Sequence, residues 1–315
     1  MKITLLTASV LACIYTGPVY AWQQDQPPVD PEVVEENEPE DLDLVRDVAG
    51  ENGESQRNQD DAWSDVESMT LQQAIAAPHR SAANRQRDEY RNPRETLEFF
   101  AIEPDMTVVE IWPGAGWYTE ILAPYLAANG TFYAAHFPAD TDSDYFNNAR
   151  NNFLERMQSS DVYSKVQVTE FSPGSAHDIA PEGSADMVLT FRNLHNWYMN
   201  GGDESVSEAF DAFYRALRPG GVLGVVDHRL PEDRDSEQAR SSGYVKQSWA
   251  IEMAEQAGFE LEDSSEVNAN ARDTADYEEG VWTLPPSLRT GDEGGEFSQI
   301  GESDRFTLKF RKPEE

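Results

Sequence analysis

Short apolar runs alternate with segments of helical spacing through most of the chain after residue 62. Runs rich in Val, Ile, Leu and Phe predict buried strands, and apolar residues spaced three and four apart predict helices that pack on them. Strands are predicted at 107–111, 130–136, 165–171, 186–191, 222–227, 259–266 and 305–310. Helices are predicted at 70–77, 92–100, 117–126, 144–157, 206–217 and 243–257.

This alternation predicts an α/β fold with a Rossmann-like, seven-stranded and mostly parallel sheet that carries helices on both faces. No helix separates the last two predicted strands, so they are expected to form an antiparallel C-terminal edge. The segment Glu279–Leu288 interrupts this final pair. It is expected either to cover a binding site or to pack Trp282 on the sheet.

The first 21 residues have the pattern of a secretory signal peptide. A lysine precedes the apolar run Ile3–Tyr15, and small residues precede a cleavage position after Ala21. The chain is therefore predicted to be exported to the periplasm. Two alternatives stay open, namely a lipid anchor at Cys13 and an uncleaved N-terminal membrane anchor.

Residues 22–61 are polar, acidic and proline-containing, which predicts a disordered acidic linker before a single domain at 62–315. An acidic tail that binds a cationic partner is the alternative for this stretch. The formal net charge of the chain is −35. This charge argues against nucleic acid as a partner, because phosphate binding needs a basic surface. After signal cleavage no integral membrane domain is expected, and the oligomeric state stays open.

The segment Val108–Leu122 reads VVEIWPGAGWYTEIL and predicts a strand, a glycine turn and a helix in direct succession. Glu110 lies at the end of the strand, and Gly114-Ala115-Gly116 forms the turn. Glycine permits a positive φ and lets a ligand approach the backbone. Tyr118 and Thr119 start the helix, where unpaired N–H groups point toward a ligand. In an open α/β sheet this position lies where ligands bind.

Two further turns accompany the glycine turn, LRPGGVL at 217–223 and AGFEL at 257–261. In this order and spacing the three turns resemble those of the class I S-adenosylmethionine-dependent methyltransferases, over about Asn92 to Pro313. The stretches PGAGWYTEILAPYL, LHNW and IGESDRFTLKF are similar to a bacterial group of predicted exported methyltransferases.

The resemblance implies S-adenosyl-L-methionine as the cofactor. Its predicted binding residues are Glu110, Trp112, Gly114, Ala115, Gly116, Tyr118, Thr119, His136 and Phe191. Two of these positions depart from the family pattern, because Trp112 replaces its first glycine and His136 replaces its ribose-binding acid. Trp112 is expected either to face the sulfonium through a cation–π contact or to pack in the core.

The segment 191–198 is predicted to be a loop after the fourth strand, at the edge that faces donor and acceptor. We expect His195 to act as a general base and Asn193 to orient the acceptor. A structural, hydrogen-bonded histidine is the alternative. Asp227-His228-Arg229 is expected to be a strand-end cluster more than a part of the site.

The predicted function is methyl transfer from S-adenosylmethionine to an unidentified, small-molecule acceptor. The alternative is a non-catalytic exported module that binds a ligand and retains the fold. A dinucleotide-binding dehydrogenase is disfavoured, because Thr119 stands where the third glycine belongs. No G-x-S-x-G motif indicates an α/β-hydrolase. The five histidines show no i, i+4 pair, so no metal site is predicted.

Overall fold

The structure is a computed structural model that describes residues 68–237, 239–291 and 295–314. The predicted signal peptide at 1–21, with Cys13, and the predicted acidic linker at 22–61 lie outside these residues, so both stay predictions. Among the residues described, no helix is both long and apolar enough to cross a membrane.

Helices and strands alternate along the described chain. The helices are α1 (Leu71–Ala76), α2 (Ala82–Gln86), α3 (Asp88–Arg91), α4 (Pro93–Phe99), α5 (Thr119–Leu126), α6 (Asp144–Gln158), α7 (Leu194–Ala216), α8 (Gln247–Gln256) and α9 (Glu296–Ile300). The strands are β1 (Thr107–Ile111), β2 (Thr131–His136), β3 (Gln167–Glu170), β4 (Ala185–Phe191), β5 (Leu217–Leu230), β6 (Val245–Lys246), β7 (Glu260–Ser265) and β8 (Arg305–Arg311).

The sheet has the strand order β3-β2-β1-β4-β5-β8-β7, with the two-residue strand β6 beside β5. Strands β1 to β5 pair in parallel, whereas β8 is antiparallel to both β5 and β7. This arrangement confirms the predicted α/β fold with an antiparallel C-terminal edge. The last strand enters between β5 and β7, with Val222 opposite Arg311 and His228 opposite Arg305.

Side chains that alternate along the strands supply two hydrophobic cores, one on each face of the sheet. Val108 packs with α1, α4, α5 and α6 on one face. Val109 and Ile111 pack with α7 and α8 on the other face. Each fully buried side chain of this kind contributes about 1.5–3 kcal/mol. Helices therefore cover both faces of the sheet, as the pattern predicts.

Helix α7 begins earlier than predicted, because the segment expected to be a loop after β4 is helical from Leu194. The predicted start at residue 206 is wrong. Gly202 has φ 67° and ψ −156° and breaks the helical geometry inside α7. Such a break obscures the helical period in the sequence, because a glycine pair reads as a turn. The consequence is that His195 lies in the first turn of a helix and not in a loop.

Candidate functional site

The glycine turn between β1 and α5 is open on one side. Gly114 has φ 59° and Gly116 has φ 86°, so both adopt the left-handed backbone that glycine accommodates. Gly114 and Ala115 are exposed, and a Cβ atom built on Gly114 would meet nothing within 4 Å. A ligand can therefore approach this backbone closely at the C-terminal end of β1, where the resemblance places the cofactor.

Glu110 and Thr119 contact each other beneath this turn. The hydroxyl group of Thr119 donates a hydrogen bond of 2.6 Å to the carboxyl group of Glu110, which is 2% exposed. Burial raises the pKa of Glu110 to about 8, although the hydrogen bond from Thr119 acts in the opposite direction. Glu110 is thus largely protonated near neutral pH and links the end of β1 to the start of α5.

Tyr118 and Phe191 form a buried aromatic wall between the first turn of α5 and the end of β4. Their rings are stacked, with centroids 3.6 Å apart and planes inclined by 9°. The Tyr118 hydroxyl donates to the carbonyl oxygen of Arg91 at 3.3 Å. Burial raises the pKa of Tyr118 to about 12. The structure therefore brings together two residues that the resemblance assigns to the cofactor from separate parts of the chain.

His136 does not offer the ribose contact that its position predicts, which corrects that expectation. Its Nδ1 atom accepts from the backbone N–H of Phe137 at 2.8 Å, so Nε2 carries the proton and lies 3.3 Å from the carbonyl oxygen of Gly114. Burial lowers the pKa of His136 to about 4, so the ring is neutral at physiological pH. Both ring nitrogens are engaged by the protein, and His136 supports the glycine turn from below.

Trp112 belongs to an aromatic cluster, which favours the packing interpretation over a contact with a sulfonium. Its indole N–H donates to the carbonyl oxygen of Phe171 at 2.8 Å. The indole ring lies 4.8 Å from the ring of Phe137 and 5.4 Å from that of Trp197, both edge-on. The backbone of Trp112 has φ 46°, the left-handed conformation that the family's glycine would adopt without strain.

Asn193 joins the ends of β1 and β4. Its side-chain amide donates to the carbonyl oxygen of Ile111 at 2.8 Å and to the hydroxyl group of Thr190 at 3.1 Å. Asn193 is 6% exposed. With both amide hydrogens engaged by the protein, Asn193 holds the two strand ends together. Its predicted role of orienting the acceptor stays a prediction.

His195 and Asp227 form a buried hydrogen-bonded pair at the C-terminal edge of the sheet. Nδ1 of His195 lies 2.8 Å from a carboxylate oxygen of Asp227, and the backbone N–H of His195 donates to the other oxygen at 3.2 Å. Because a carboxylate only accepts, Nδ1 carries the proton and Nε2 presents its lone pair. Within the described chain, Nε2 has no hydrogen-bond partner. This is the arrangement of an oriented general base.

Asp227 is a candidate site residue that the sequence pattern places only in a strand-end cluster. It is fully buried at the end of β5, and its carboxylate also accepts the backbone N–H of His228 at 2.7 Å. The sequence offers one indication, a charged residue at the end of the apolar run 222–227. Because buried charges are nearly always paired, such a residue predicts a partner elsewhere in the fold. Its partner lies in another element, so the sequence alone does not identify the pair.

His195, Asp227 and His228 also form a group with the ligand types of a metal site, although none was predicted. One potential ligand atom from each lies within 4.8 Å of the others. Burial, then the neighbouring His195 and Arg192, lower the pKa of His228 well below its ordinary value. The positive field that disfavours a protonated His228 also disfavours a cation here. Nδ1 of His228 is moreover engaged with the Ser303 hydroxyl at 2.5 Å.

The segment Glu279–Leu288, which interrupts the last two predicted strands, brings Trp282 close to His195. The ring of Trp282 is 6.4 Å from that of His195. The guanidinium group of Arg289 lies 4.9 Å from the centre of the Trp282 ring. Val281 packs with Leu230 and Tyr244 in a small separate core. Trp282 thus neighbours the candidate base and also packs against this small core, so both expectations for the segment stay open.

Comparison with known proteins gives one family match. Residues 110–225 match the family described as a methyltransferase domain. The matched region begins at Glu110 and includes the glycine turn and His195. No curated protein sequence matches the chain. The domain match supports S-adenosylmethionine as the cofactor that the resemblance implies.

Solved structures are similar to this chain at low sequence identity. A provisionally named sarcosine dimethylglycine methyltransferase from Galdieria sulphuraria is 11% identical, with 74% of this chain and 89% of that chain covered and a TM-score of 0.50. A SAM dependent methyltransferase from Aquifex aeolicus is 14% identical, with 78% of this chain and 100% of that chain covered and a TM-score of 0.48. The chain thus combines a class I methyltransferase fold with a region, residues 110–225, that is similar to the methyltransferase domain family.

Proposed function

We propose that this protein transfers the methyl group of S-adenosylmethionine to a small-molecule acceptor, with His195 as the general base. The observation that carries this proposal is the buried pair of His195 and Asp227 at the edge of the sheet that also holds the open glycine turn. A protein that only bound a ligand would have no need for an oriented imidazole there.

The glycine turn fits the cofactor. Gly114 and Ala115 are exposed, a Cβ atom on Gly114 would meet nothing within 4 Å, and the N-terminus of α5 follows directly. Tyr118 and Phe191 supply an apolar wall next to it. S-adenosylmethionine, when bound, supplies an electrophilic methyl group. The β2 position that carries a ribose-binding acid in the family is His136, so the ribose has to be held by other groups.

His195 takes the proton that the acceptor loses. The Asp227 carboxylate fixes the proton of the imidazole on Nδ1, which leaves Nε2 as the basic atom. It also stabilises the imidazolium that forms when Nε2 accepts a proton. General-base catalysis of this kind contributes about 10²- to 10⁴-fold to a rate. The remaining acceleration comes from holding donor and acceptor in line.

Titration calorimetry with S-adenosylhomocysteine tests the cofactor site. We expect Gly114→Asn to weaken binding by at least about tenfold, because a side chain would enter the open face of the turn. Asparagine tolerates the left-handed backbone, so the fold should be preserved. Gly183→Asn is the matched control, since Gly183 has φ 65°, equally open surroundings and a place at the opposite edge of the sheet. Equal affinity for all three proteins would place the cofactor elsewhere.

Turnover of His195→Gln tests the base. Once a methyl acceptor is identified by screening small molecules with labelled donor, we expect this variant to lose about 10²-fold or more in kcat. Its affinity for S-adenosylhomocysteine should be unchanged, because the glycine turn is intact. Undiminished turnover would show that His195 is a structural histidine.

A further inference from the structure

Three arginine side chains pair with one glutamate at the C-terminal edge of the sheet, and the charge of a fourth arginine acts on the same glutamate. The members of this arginine cluster are Arg87, Arg91, Arg192, Arg305 and Glu302. They come from the helices before β1, from the end of β4 and from the start of β8. The Tyr118 hydroxyl donates to the carbonyl oxygen of Arg91 at 3.3 Å, and Nδ1 of His228 lies 2.5 Å from the hydroxyl group of Ser303, the neighbour of Glu302. The arginine cluster therefore adjoins both the aromatic wall and the histidine next to the candidate base.

Glu302 neutralises only part of this charge. Nε of Arg87 lies 2.6 Å from one of its carboxylate oxygens, and Nε of Arg91 and Nη1 of Arg305 each lie 3.2 Å from the other. Glu302 is 4% exposed. Burial by itself would raise its pKa, but the charges of Arg91, Arg305 and Arg87 outweigh that effect and lower it far below the ordinary value. A single ionised carboxylate thus serves several guanidinium groups.

Arg192 has no such partner. Within the described residues its guanidinium makes no hydrogen bond and no ion pair, and burial followed by the charges of Arg91 and Arg87 lowers its pKa well below the usual value. A guanidinium stays protonated near neutral pH, so a half-buried one without an acceptor from the described residues favours a bound anion. Buried Nη2 atoms of Arg87 and Arg91 likewise lack a hydrogen-bond partner.

An excess of buried positive charge costs stability unless an anion compensates it. The three ion pairs to Glu302 are sufficient to attach the N-terminal helices to the turn before β8. The positive charge of Arg192 is not needed for that attachment. The local excess of positive charge contrasts with the chain as a whole, in which 59 acidic residues outnumber 24 basic ones. Arg192 and Arg87 are partly exposed, so a small ligand can reach the cluster.

We propose that the arginine cluster binds an oxyanion of the methyl acceptor, a carboxylate or a phosphate group, so that the acceptor is an anionic small molecule. Planar guanidinium forks match both groups through paired hydrogen bonds. The substrate class rests on the proposed function, whereas the oxyanion site does not. His228 connects the arginine cluster to the candidate base, with its ring 5.0 Å from that of His195 and its Nδ1 atom 2.5 Å from the hydroxyl group of Ser303, the neighbour of Glu302. An anchored oxyanion leaves the other end of the acceptor free to meet the base.

The full chain is titrated by calorimetry with sodium phosphate and, separately, with sodium succinate, each against sodium chloride of equal ionic strength. We expect one of the two oxyanions to bind with a Kd of about 1 mM or lower and the other more weakly, which identifies the group. Arg192→Gln should weaken that binding by at least about tenfold. Arg94→Gln is the matched control, because Arg94 is exposed and pairs with Glu98 on the surface of α4.

Thermal unfolding in chloride alone gives a second readout. Because Arg192→Gln removes an uncompensated cation, its Tm should equal or exceed that of the unchanged protein, whereas a structural arginine would lower Tm on removal. Arg87→Gln repeats the affinity test at a second member of the arginine cluster. The inference is overturned if neither oxyanion binds more tightly than chloride, if Arg94→Gln weakens binding equally, or if Arg192→Gln lowers Tm in chloride.

The same preparations are titrated with S-adenosylhomocysteine. Retained binding of S-adenosylhomocysteine without oxyanion binding overturns the arginine site alone. Oxyanion binding without any binding of S-adenosylhomocysteine overturns the proposed function and leaves the oxyanion site standing.

Discussion

At the scale of single residues, the environment of Glu110 sets the state of the candidate cofactor site. Its carboxyl group is enclosed by the end of β1 and the start of α5, with the Thr119 hydroxyl as its hydrogen-bond donor. Burial raises its pKa to about 8. A carboxyl group in this state is neutral over much of the physiological range, and the folded protein therefore binds a proton that the unfolded chain does not.

This proton makes stability depend on pH. The folded pKa of Glu110 lies above its unfolded value of 4.5, so unfolding releases a proton between about pH 4.5 and 8, and this contribution to stability falls as the pH rises through that window. We expect Glu110→Gln to remove the dependence, because the amide resembles the neutral acid. The unfolding free energy of Glu110→Gln should exceed that of the unchanged protein at pH 8 by an amount on the order of a few kcal/mol, and by less at pH 5.

Denaturant unfolding of both proteins at pH 5 and pH 8 measures this difference. Glu103→Gln is the control, since Glu103 is an exposed glutamate outside the site. A difference between Glu110→Gln and the unchanged protein that does not grow with pH would mean that Glu110 is ionised in the folded state.

At the scale of elements, the chain that follows β8 secures the end of α7. The ammonium group of Lys312 donates to the carbonyl oxygens of Tyr214 and Leu217, each at 2.7 Å, and lies 4.4 Å from the centre of the Tyr214 ring. The last carbonyl groups of a helix have no partner within the helix and carry partial negative charge. A lysine from another element therefore satisfies them and ties the last strand to α7.

Lys312→Met should lower the unfolding free energy by about 1–3 kcal/mol, because it keeps the apolar stem and removes the donor. Urea unfolding of the variant measures the loss. Lys246→Met is the matched control, since no hydrogen bond of the Lys246 side chain occurs in the described part of the chain. An equal urea midpoint for both variants would show that the contact contributes nothing.

At the scale of the whole molecule, a net charge of −35 opposes compaction. Like charges on the surface repel over a screening length of about 10 Å at 0.1 M salt and about 3 Å at 1 M. The arginine cluster is a local exception, with excess positive charge at the candidate site. An anionic ligand would thus meet a repulsive surface and an attractive site, and salt would weaken both effects.

Screening should stabilise the folded protein. We expect Tm to rise by several degrees between 0.1 M and 1 M sodium chloride, because salt weakens the repulsion among surface carboxylates. Differential scanning calorimetry measures this rise, and sucrose at equal osmolality separates it from general exclusion of the solute. A Tm that stays constant or falls with salt would mean that surface repulsion does not limit stability.

Much of the fold could be predicted because it depends on local order. Alternating apolar strands and helices indicate a parallel α/β sheet wherever the periods of two and of 3.6 residues persist. The glycine turn at Gly114–Gly116 was identifiable for the same reason, since its φ requirement and its place between strand and helix are local properties. The start of α7 was missed because Gly202 interrupts the period that would have revealed it.

By itself, the sequence determined the fold class, the glycine turn and the aromatic residues that flank it. Tertiary structure alone decided which polar groups meet. His195 pairs with Asp227 across 32 residues, and Arg87 meets Glu302 across 215 residues. Tertiary structure also decided that His136 lies beneath the glycine turn, where both of its ring nitrogens contact the backbone. The physical reason is that hydrogen bonds and ion pairs form only over a few ångströms. Folding brings residues that are remote along the chain within that distance of each other.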